Sequence, residues 1–525
     1  MGICPCHFIV IEDIMAKLRS LGGAGEVTGS LHMLDLSDEL GYSMKILLDA
    51  GSFQGFDAGN RNSFLPLSIN PMEIRYIFLS HAHGDHIGRL PLLVKRGFHG
   101  KIVCTPATKD ISFIVLDNMI KIQNNNMDFE KDKDIGSITE KDIETTKRLF
   151  IPIQKEYGKW ISDDGKLVVS FINAEHIVGS CCICIEKPIR LLYTGDLGGS
   201  RSTLHKIPVP PSGGVDYLIM ESTYGDREIG KSNVMVLVNA IQDIREYGGR
   251  LLIPILAIDK AEEILALLKS LNVQETVYLD TPMGLDVFDI YIRNSFMKVS
   301  EKFNRVKIKD RNLNADQIYT RFVPKNFIEV TSKNSEIVMN DRGNCIILSS
   351  SGMLEGGRIM KYLPYILSGS KNIILFCSFL GEGTLGKRIL DGKKEVYIRN
   401  TDNKIIKVNV EASIRKMDGI SSHADKNDIL DYIGKFGILP KNVFIVHGEP
   451  SASKYLKNEI EYRFGIPCVV SKYDIEYELG DDGDEIERRV VMTKEKTKDK
   501  DEIDSSDFDD FCQVIEHKDF SPKRR

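Results

Sequence analysis

Histidine is scarce in this chain, 11 in 525 residues, and there is a single tryptophan. No apolar run approaches the roughly 18 residues of a membrane-spanning helix, and residues 1–14 lack the charged start and cleavage site of a secretory leader. Neither a membrane anchor nor export is expected, and a cytoplasmic location follows. Positive charge is not in excess: the net charge of −6 argues against the broad basic surface of a non-specific nucleic-acid binder, so any such contact must be local. The ten cysteines form no spaced framework; Cys4-Pro5-Cys6-His7 and Cys181-Cys182-Ile183-Cys184 each lack a second ligand pair at zinc-finger spacing and read as reduced thiols. At 525 residues the chain exceeds what one core supports, so two or more domains are expected.

Against that scarcity, three of the 11 histidines fall within Ser80-His81-Ala82-His83-Gly84-Asp85-His86, directly after the apolar run 74–79. Neutral imidazole and carboxylate suit zinc, with manganese or iron a second choice, and Gly84 lets the backbone turn so that alternate side chains converge. The same pattern, a short apolar run ending in a polar cluster, recurs along the chain. Runs 44–48, 168–174, 190–193, 215–220 and 443–446 end at Asp49, His176, Asp196, Glu221 and His447 respectively. A single Asp before Gly is ordinarily a turn residue. Ligands at the ends of successive buried strands, however, can share one crevice. After the histidine cluster, Leu90, Leu93 and Val94 recur at helical spacing until Gly97.

Taken in order, these residues resemble the metallo-β-lactamase superfamily, whose HxHxDH motif appears as His81, His83, Asp85 and His86, with His176, Asp196 and Asp49 at its other motif positions. The resemblance narrows to the β-CASP nucleases of the prokaryotic RNA-hydrolase type, related to the endonuclease subunit of the pre-mRNA 3′-end cleavage machinery. Its motifs A, B and C match Glu221-Ser222-Thr223-Tyr224-Gly225, Ser421-Ser422-His423-Ala424-Asp425 and Val446-His447-Gly448-Glu449, and the likeness extends over about residues 15–478. It implies an α/β fold, a metallo-β-lactamase αββα sandwich with an inserted α/β β-CASP domain. The implied organisation is an extension over 1–14, a sandwich in two parts over 15–220 and 411–480, the insertion over 221–410, and a charged, disordered tail over 481–525.

Position by position, the resemblance implies two zinc ions, with Mn2+ as the alternative: His81, His83 and His176 hold one, Asp85, His86 and His447 the other, and Asp196 bridges. In two-metal sites the ions lie about 3.5 to 4 Å apart and activate a water between them. The implied reaction is hydrolysis of an RNA phosphodiester, in RNA processing or decay. Asp85 is the general base, His423 the general acid, Glu221 its orienting partner and Asp49 a carboxylate behind the ligands. Histidine at motif C favours RNA over DNA, since DNA-acting β-CASP proteins usually lack it. Single-stranded RNA is the expected partner, and the family leaves a homodimer open.

The small-residue turn Ser349-Ser350-Ser351-Gly352 and the basic pair Lys387-Arg388 are candidate phosphate contacts in the insertion. One departure stands out. Where many relatives carry Val-Gly-Arg-Ala-Gln, this chain has Ile258-Asp259-Lys260-Ala261-Glu262, and two added carboxylates repel a phosphate backbone. A DNA nuclease of the same fold is the alternative reading. A small-ester hydrolase is opposed by the long insertion, and a non-catalytic RNA-binding subunit by the complete ligand set.

Overall fold

The computed structural model describes residues 15–37, 43–55, 58–126, 138–230, 233–295, 322–378, 380–381, 383–399 and 404–479. The expected extension and tail, with Cys4, Cys6 and Cys512, lie outside these residues.

Two seven-stranded sheets pack face to face. The first contains β1 (Met15–Ser20), β2 (His32–Ser37), β3 (Ser43–Leu48), β4 (Ile74–Phe78), β5 (Lys101–Cys104) and β6 (Phe150–Pro152) side by side in chain order. The second runs β7 (Gly158–Ile161), β8 (Val168–Asn173), β9 (Cys181–Lys187), β10 (Leu191–Tyr193), β11 (Tyr217–Glu221), and then jumps to β20 (Asn442–Val446) and β21 (Cys468–Val470). The final strand β22 (Glu476–Leu479) returns to the free edge of β1. β1 alternates as a half-covered strand should: Ala16 and Leu18 point into the sandwich, while Lys17 and Arg19 pair with Glu476 and Asp474. β11 and β20 pair in parallel and are buried at every position, which is why both read as uninterrupted apolar runs.

Leu18, Leu48 and Phe78 of the first sheet meet Phe171, Ile183 and Phe444 of the second in the sandwich core. Helices Leu90–Lys95, Pro106–Asn126 and Glu140–Arg148 cover the outer face of the first sheet, and Lys426–Gly434 and Pro450–Phe464 that of the second, completing the αββα layering. Cys181 faces the sandwich core and Cys182 and Cys184 the outer layer; all three are free, buried thiols.

Between β11 and β20 the chain builds a third sheet, all parallel. It comprises β12 (Arg250–Pro254), β13 (Thr276–Asp280), β14 (Phe327–Glu329), β15 (Cys345–Ser349), β16 (Ile373–Phe376) and β19 (Ser413–Lys416), in the order β14-β13-β15-β12-β16-β19. Apolar clusters lie on both its faces. The hairpin β17 (Glu395–Arg399) and β18 (Ile405–Asn409) flanks it. Strand β19 extends this sheet to Lys416, past residue 410, where the sequence reading ended the insertion.

Candidate metal centre

Six strand ends of the two packed sheets deliver the candidate residues to one crevice. Asp49 follows β3, the histidine cluster follows β4, His176 follows β8, Asp196 follows β10, Glu221 closes β11 and His447 follows β20. Asp49, Glu175 and His447 adopt positive φ, at 60°, 56° and 50°, a conformation that costs a non-glycine residue on the order of 1 kcal/mol or more and concentrates at functional sites. His83 precedes the single helical turn Gly84–Ile87, which places Asp85 and His86 one after the other over the crevice. Gly51 is required here, because a Cβ at that position would lie 1.5 Å from the Asp85 carbonyl oxygen.

The imidazoles of His81, His83 and His176 converge, with His81 Nε2 3.0 Å and His176 Nε2 3.3 Å from His83 Nδ1. Asp85, His86 and His447 form a second converging set. Asp196 stands between them and divides its oxygens. Its Oδ2 lies 3.5 Å from His81 Nε2 and 3.6 Å from His176 Nε2, while its Oδ1 lies 3.2 Å from His86 Nε2 and 3.5 Å from His447 Nε2. Asp196 Oδ1 and His86 Nε2 are buried and have no hydrogen-bond partner. Native structures rarely leave such atoms orphaned. Two imidazole and carboxylate sets sharing one carboxylate fit divalent cations of zinc type. Burial pushes His81, His83 and His176 below the usual imidazole value, so they are neutral and able to ligate. Burial also pushes His86 down, but the carboxylates of Asp196 and Asp49 outweigh it and hold it well above that value. Burial would raise Asp196, yet His447, His86 and His81 keep its carboxyl well below the usual range.

His423 completes the crevice wall. Its backbone bridges to Gly198, and its Nδ1 is 3.2 Å from Glu221 Oε2, which leaves Nε2 toward the ligands, 3.9 Å from Asp196 Oδ2. Glu221 is fully buried and also accepts the Leu197 N–H. Burial lowers the His423 imidazole, but Glu221 and then Asp196 push it up to about 9. Asp425 caps the next helix by accepting the N–H groups of Asn427 and Asp428, and Arg201 clamps Asp425 and Asp428 at 2.8 and 2.9 Å.

The candidate phosphate contacts lie in the insertion, Ser349 at the end of β15, Ser350, Ser351 and Gly352 in the turn after it, and Lys387 and Arg388 on the helix Leu385–Leu390, and are engaged differently. Ser349 is buried and its hydroxyl donates to the Asp280 carbonyl; Ser351 Oγ accepts the Glu355 N–H; Gly352 packs beside Leu256. Ser350 is partly exposed, and its carbonyl accepts the Ile359 N–H. Lys387 pairs with Asp391 at 2.6 Å, and Arg388 is exposed.

Two further residues support the crevice: Arg89, which the sequence reading passed over, and Asp259, which it took with Glu262 for carboxylates repelling a phosphate backbone but which, like Glu262, is 1% exposed and turned inward. Arg89, 1% exposed, donates to the Gly51 and Gly29 carbonyls and so ties together the loops around Asp85. Its signal is its place three residues beyond His86. Asp259, at φ 67°, meets His205 at 2.6 Å and the Tyr291 hydroxyl at 2.8 Å. Tyr291 in turn accepts the Val178 N–H, two residues beyond His176.

Over 441 aligned residues, 82% of this chain and 93% of the relative, the chain is 30% identical to Ribonuclease TTHA0252 of Thermus thermophilus. The chain belongs to the metallo-β-lactamase superfamily, in its β-CASP family. Family models match residues 45–235 (Metallo-beta-lactamase superfamily), 261–389 (Beta-Casp domain) and 407–471 (Zn-dependent metallo-hydrolase RNA specificity domain). Transcription termination factor FttA of Cenarchaeum symbiosum is 30% identical over 86% of this chain and 69% of that relative, and the Methanocaldococcus jannaschii factor of the same name is 28% identical over 84% and 68%. A solved structure described as a protein of unknown function from Enterococcus faecalis V583 superposes with a TM-score of 0.52 at 12% identity, covering 89% of this chain and all of that one; it shows the shared fold.

Proposed function

We propose that this β-CASP hydrolase is a zinc-dependent ribonuclease that cleaves phosphodiester bonds of single-stranded RNA, in RNA processing or decay. The observation that carries this reading is Asp196, whose two oxygens each face a separate histidine set while Oδ1 has no partner. His81, His83 and His176 would hold one ion, Asp85, His86 and His447 the other, and Asp196 both; manganese is the alternative metal. Divalent ions in such a pair supply Lewis acidity and bring the pKa of a water toward neutrality.

The chain's own residues supply the rest. Asp85, partly exposed at the crevice, takes the proton of the attacking water. Glu221 accepts the Nδ1 proton of His423 and so fixes its orientation, leaving the Nε2 proton to pass to the departing 3′ oxygen. Asp49 holds His86 at Nδ1 from behind. The relatives named as a ribonuclease and as transcription termination factors, and the match to an RNA specificity domain, support RNA as substrate. Seven free buried thiols support a reducing, cytoplasmic setting, and among the described residues no helix is long and apolar enough to cross a membrane.

Cleavage of 5′-labelled and internally labelled single-stranded RNA, with matched DNA, tests this on metal-analysed protein. RNA products that disappear on chelation and in Asp85→Ala are expected. Intact RNA beside cut DNA would move the substrate to the DNA alternative, and no cleavage of either by zinc-loaded protein would leave the non-catalytic reading. Light scattering on the same sample reads the assembly state, for which the resemblance leaves a homodimer open.

A further inference from the structure

Asp49 is a carboxylate with no free capacity. Its Oδ1 accepts the Ser80 N–H at 2.7 Å, and its Oδ2 faces the Ser80 hydroxyl at 2.6 Å, the Tyr193 hydroxyl at 2.7 Å and His86 Nδ1 at 2.7 Å. The Ser80 N–H and the Ser80 and Tyr193 hydroxyls all donate to this carboxylate, and each hydroxyl has a single proton, so the direction of the bonds that lead to it is determined. The Tyr193 hydroxyl donates to Asp49, so the Ser30 hydroxyl, 2.8 Å away, donates to Tyr193. With its one proton committed, Ser30 Oγ accepts from His32 Nε2 at 3.3 Å, and His32 Nδ1 accepts from Ser20 Oγ at 3.0 Å. Donation therefore runs from Ser20 through His32, Ser30 and Tyr193 to Asp49, which accepts at the end of the chain, while His86 meets Asp49 from the opposite side.

All of these groups are at most 1% exposed, so no solvent competes for any link. Burial, reinforced by His447, His86 and Arg89, pushes His32 down to about 3, which keeps it the neutral donor-acceptor that the order requires. The same hub reaches the other ligand set. Because the Ser80 hydroxyl donates to Asp49, it accepts the Nδ1 proton of His81 at 3.0 Å, and the Nε2 lone pair of His81 is left facing Asp196. His176 Nδ1 and His447 Nδ1 have no hydrogen-bond partner.

We propose that Tyr193, Ser30 and His32 are positioning residues of the metal centre, a one-way chain of buried hydrogen bonds that fixes Asp49 and, through it, the tautomer and aim of His86. The proposal rests on the reading of the crevice as a metal site. Removing the Tyr193 hydroxyl takes one donor from Asp49 and strands the Ser30 proton, and loss of such outer partners typically weakens metal binding about 10- to 100-fold.

The test is zinc affinity by chelator competition, together with the cobalt(II) absorption spectrum, on the full-length chain and its Tyr193→Phe and Ser30→Ala variants. Tyr432→Phe is the control: that tyrosine is equally buried, but its hydroxyl meets only Cys182 Sγ, at 3.7 Å. Both chain variants are expected to lose about 10- to 100-fold in affinity and to shift the cobalt spectrum, while the control keeps both. Should Tyr193→Phe fail to fold, Ser30→Ala removes the same ordered donor one bond further out and decides alone. Wild-type affinity and spectrum in the chain variants, whatever their melting temperatures, overturn the proposal and leave the metal site standing. A wild-type chain that binds no zinc overturns the metal reading and the proposal with it.

Discussion

In the crevice, Asp49 accepts four hydrogen bonds and Asp196 keeps an oxygen open between two histidine sets. At the seam between the inserted sheet and the sandwich, Asp259 is held by His205 and Tyr291, while Glu262, 1% exposed, has no hydrogen-bond partner on either oxygen. Both regions therefore bury carboxylates with unpartnered atoms. What separates them is convergence: among the described residues, the histidine and carboxylate groups close enough to hold an ion all lie in the crevice. There the unpartnered Asp196 Oδ1 and His86 Nε2 lie 3.2 Å apart, with His447 Nε2 3.5 Å from the same oxygen, the arrangement a cation satisfies. Glu262 instead is buried, with Asp259 and Glu263 adding like charge, and its carboxyl is driven well above the usual range, toward the neutral acid. An orphan carboxylate oxygen points to a metal when its neighbours are ligands, and to a protonated acid when they are other carboxylates.

The contrast breaks most sharply at Asp196. Asp196→Ala should cost more than about 100-fold in zinc affinity, the upper range for residues that only support ligands, and abolish RNA cleavage; elemental analysis after dialysis checks the first and a labelled-RNA assay the second. Next, His423→Ala should lower cleavage by about 100- to 10,000-fold while leaving bound zinc at the wild-type amount, since His423 faces Glu221 rather than serving as a ligand.

The seam yields effects on stability rather than on loading. Burial pushes His205 down, but Asp259 outweighs it and raises it; Asp259 is raised by burial and lowered, on balance, by His205. A raised histidine stabilises fully below its ordinary 6.5 and loses that contribution as pH rises through its folded value. A depressed carboxylate stabilises fully above its ordinary 3.8 and loses that contribution as pH falls through its folded value. Asp259→Asn should therefore cost about 3 kcal/mol in urea unfolding between about pH 4 and 6.5, and less on either side. The smallest effect has the opposite sign. A raised Glu262 makes the fold lose stability as pH rises above its ordinary 4.5, so Glu262→Gln should gain about 1 kcal/mol at pH 8 and little at pH 4.

The crevice was legible in the sequence because metal chemistry restricts residue type and the strands present those residues at their ends. His81, His83, Asp85, His86, His176, Asp196, Glu221 and His447 converge at the strand ends that the pattern marked, and His423, which only the family resemblance singled out, joins them. Their supports were not, because any buried polar residue can serve and its partner is distant in sequence. Tyr193 reaches Asp49 across 144 residues, and His205 reaches Asp259 across 54. Nor did composition reveal that Ser349 turns its hydroxyl inward, which depends on the register of β15 within the inserted sheet. The pairing of Lys387 with Asp391 was readable as an i to i+4 helix contact.

The most direct test of the account is anomalous diffraction at the zinc edge from crystals of the zinc-loaded chain. Two peaks are expected, one among His81, His83 and His176 and one among Asp85, His86 and His447, with Asp196 touching both. A single peak, or one seated between Glu221 and His423, would contradict it.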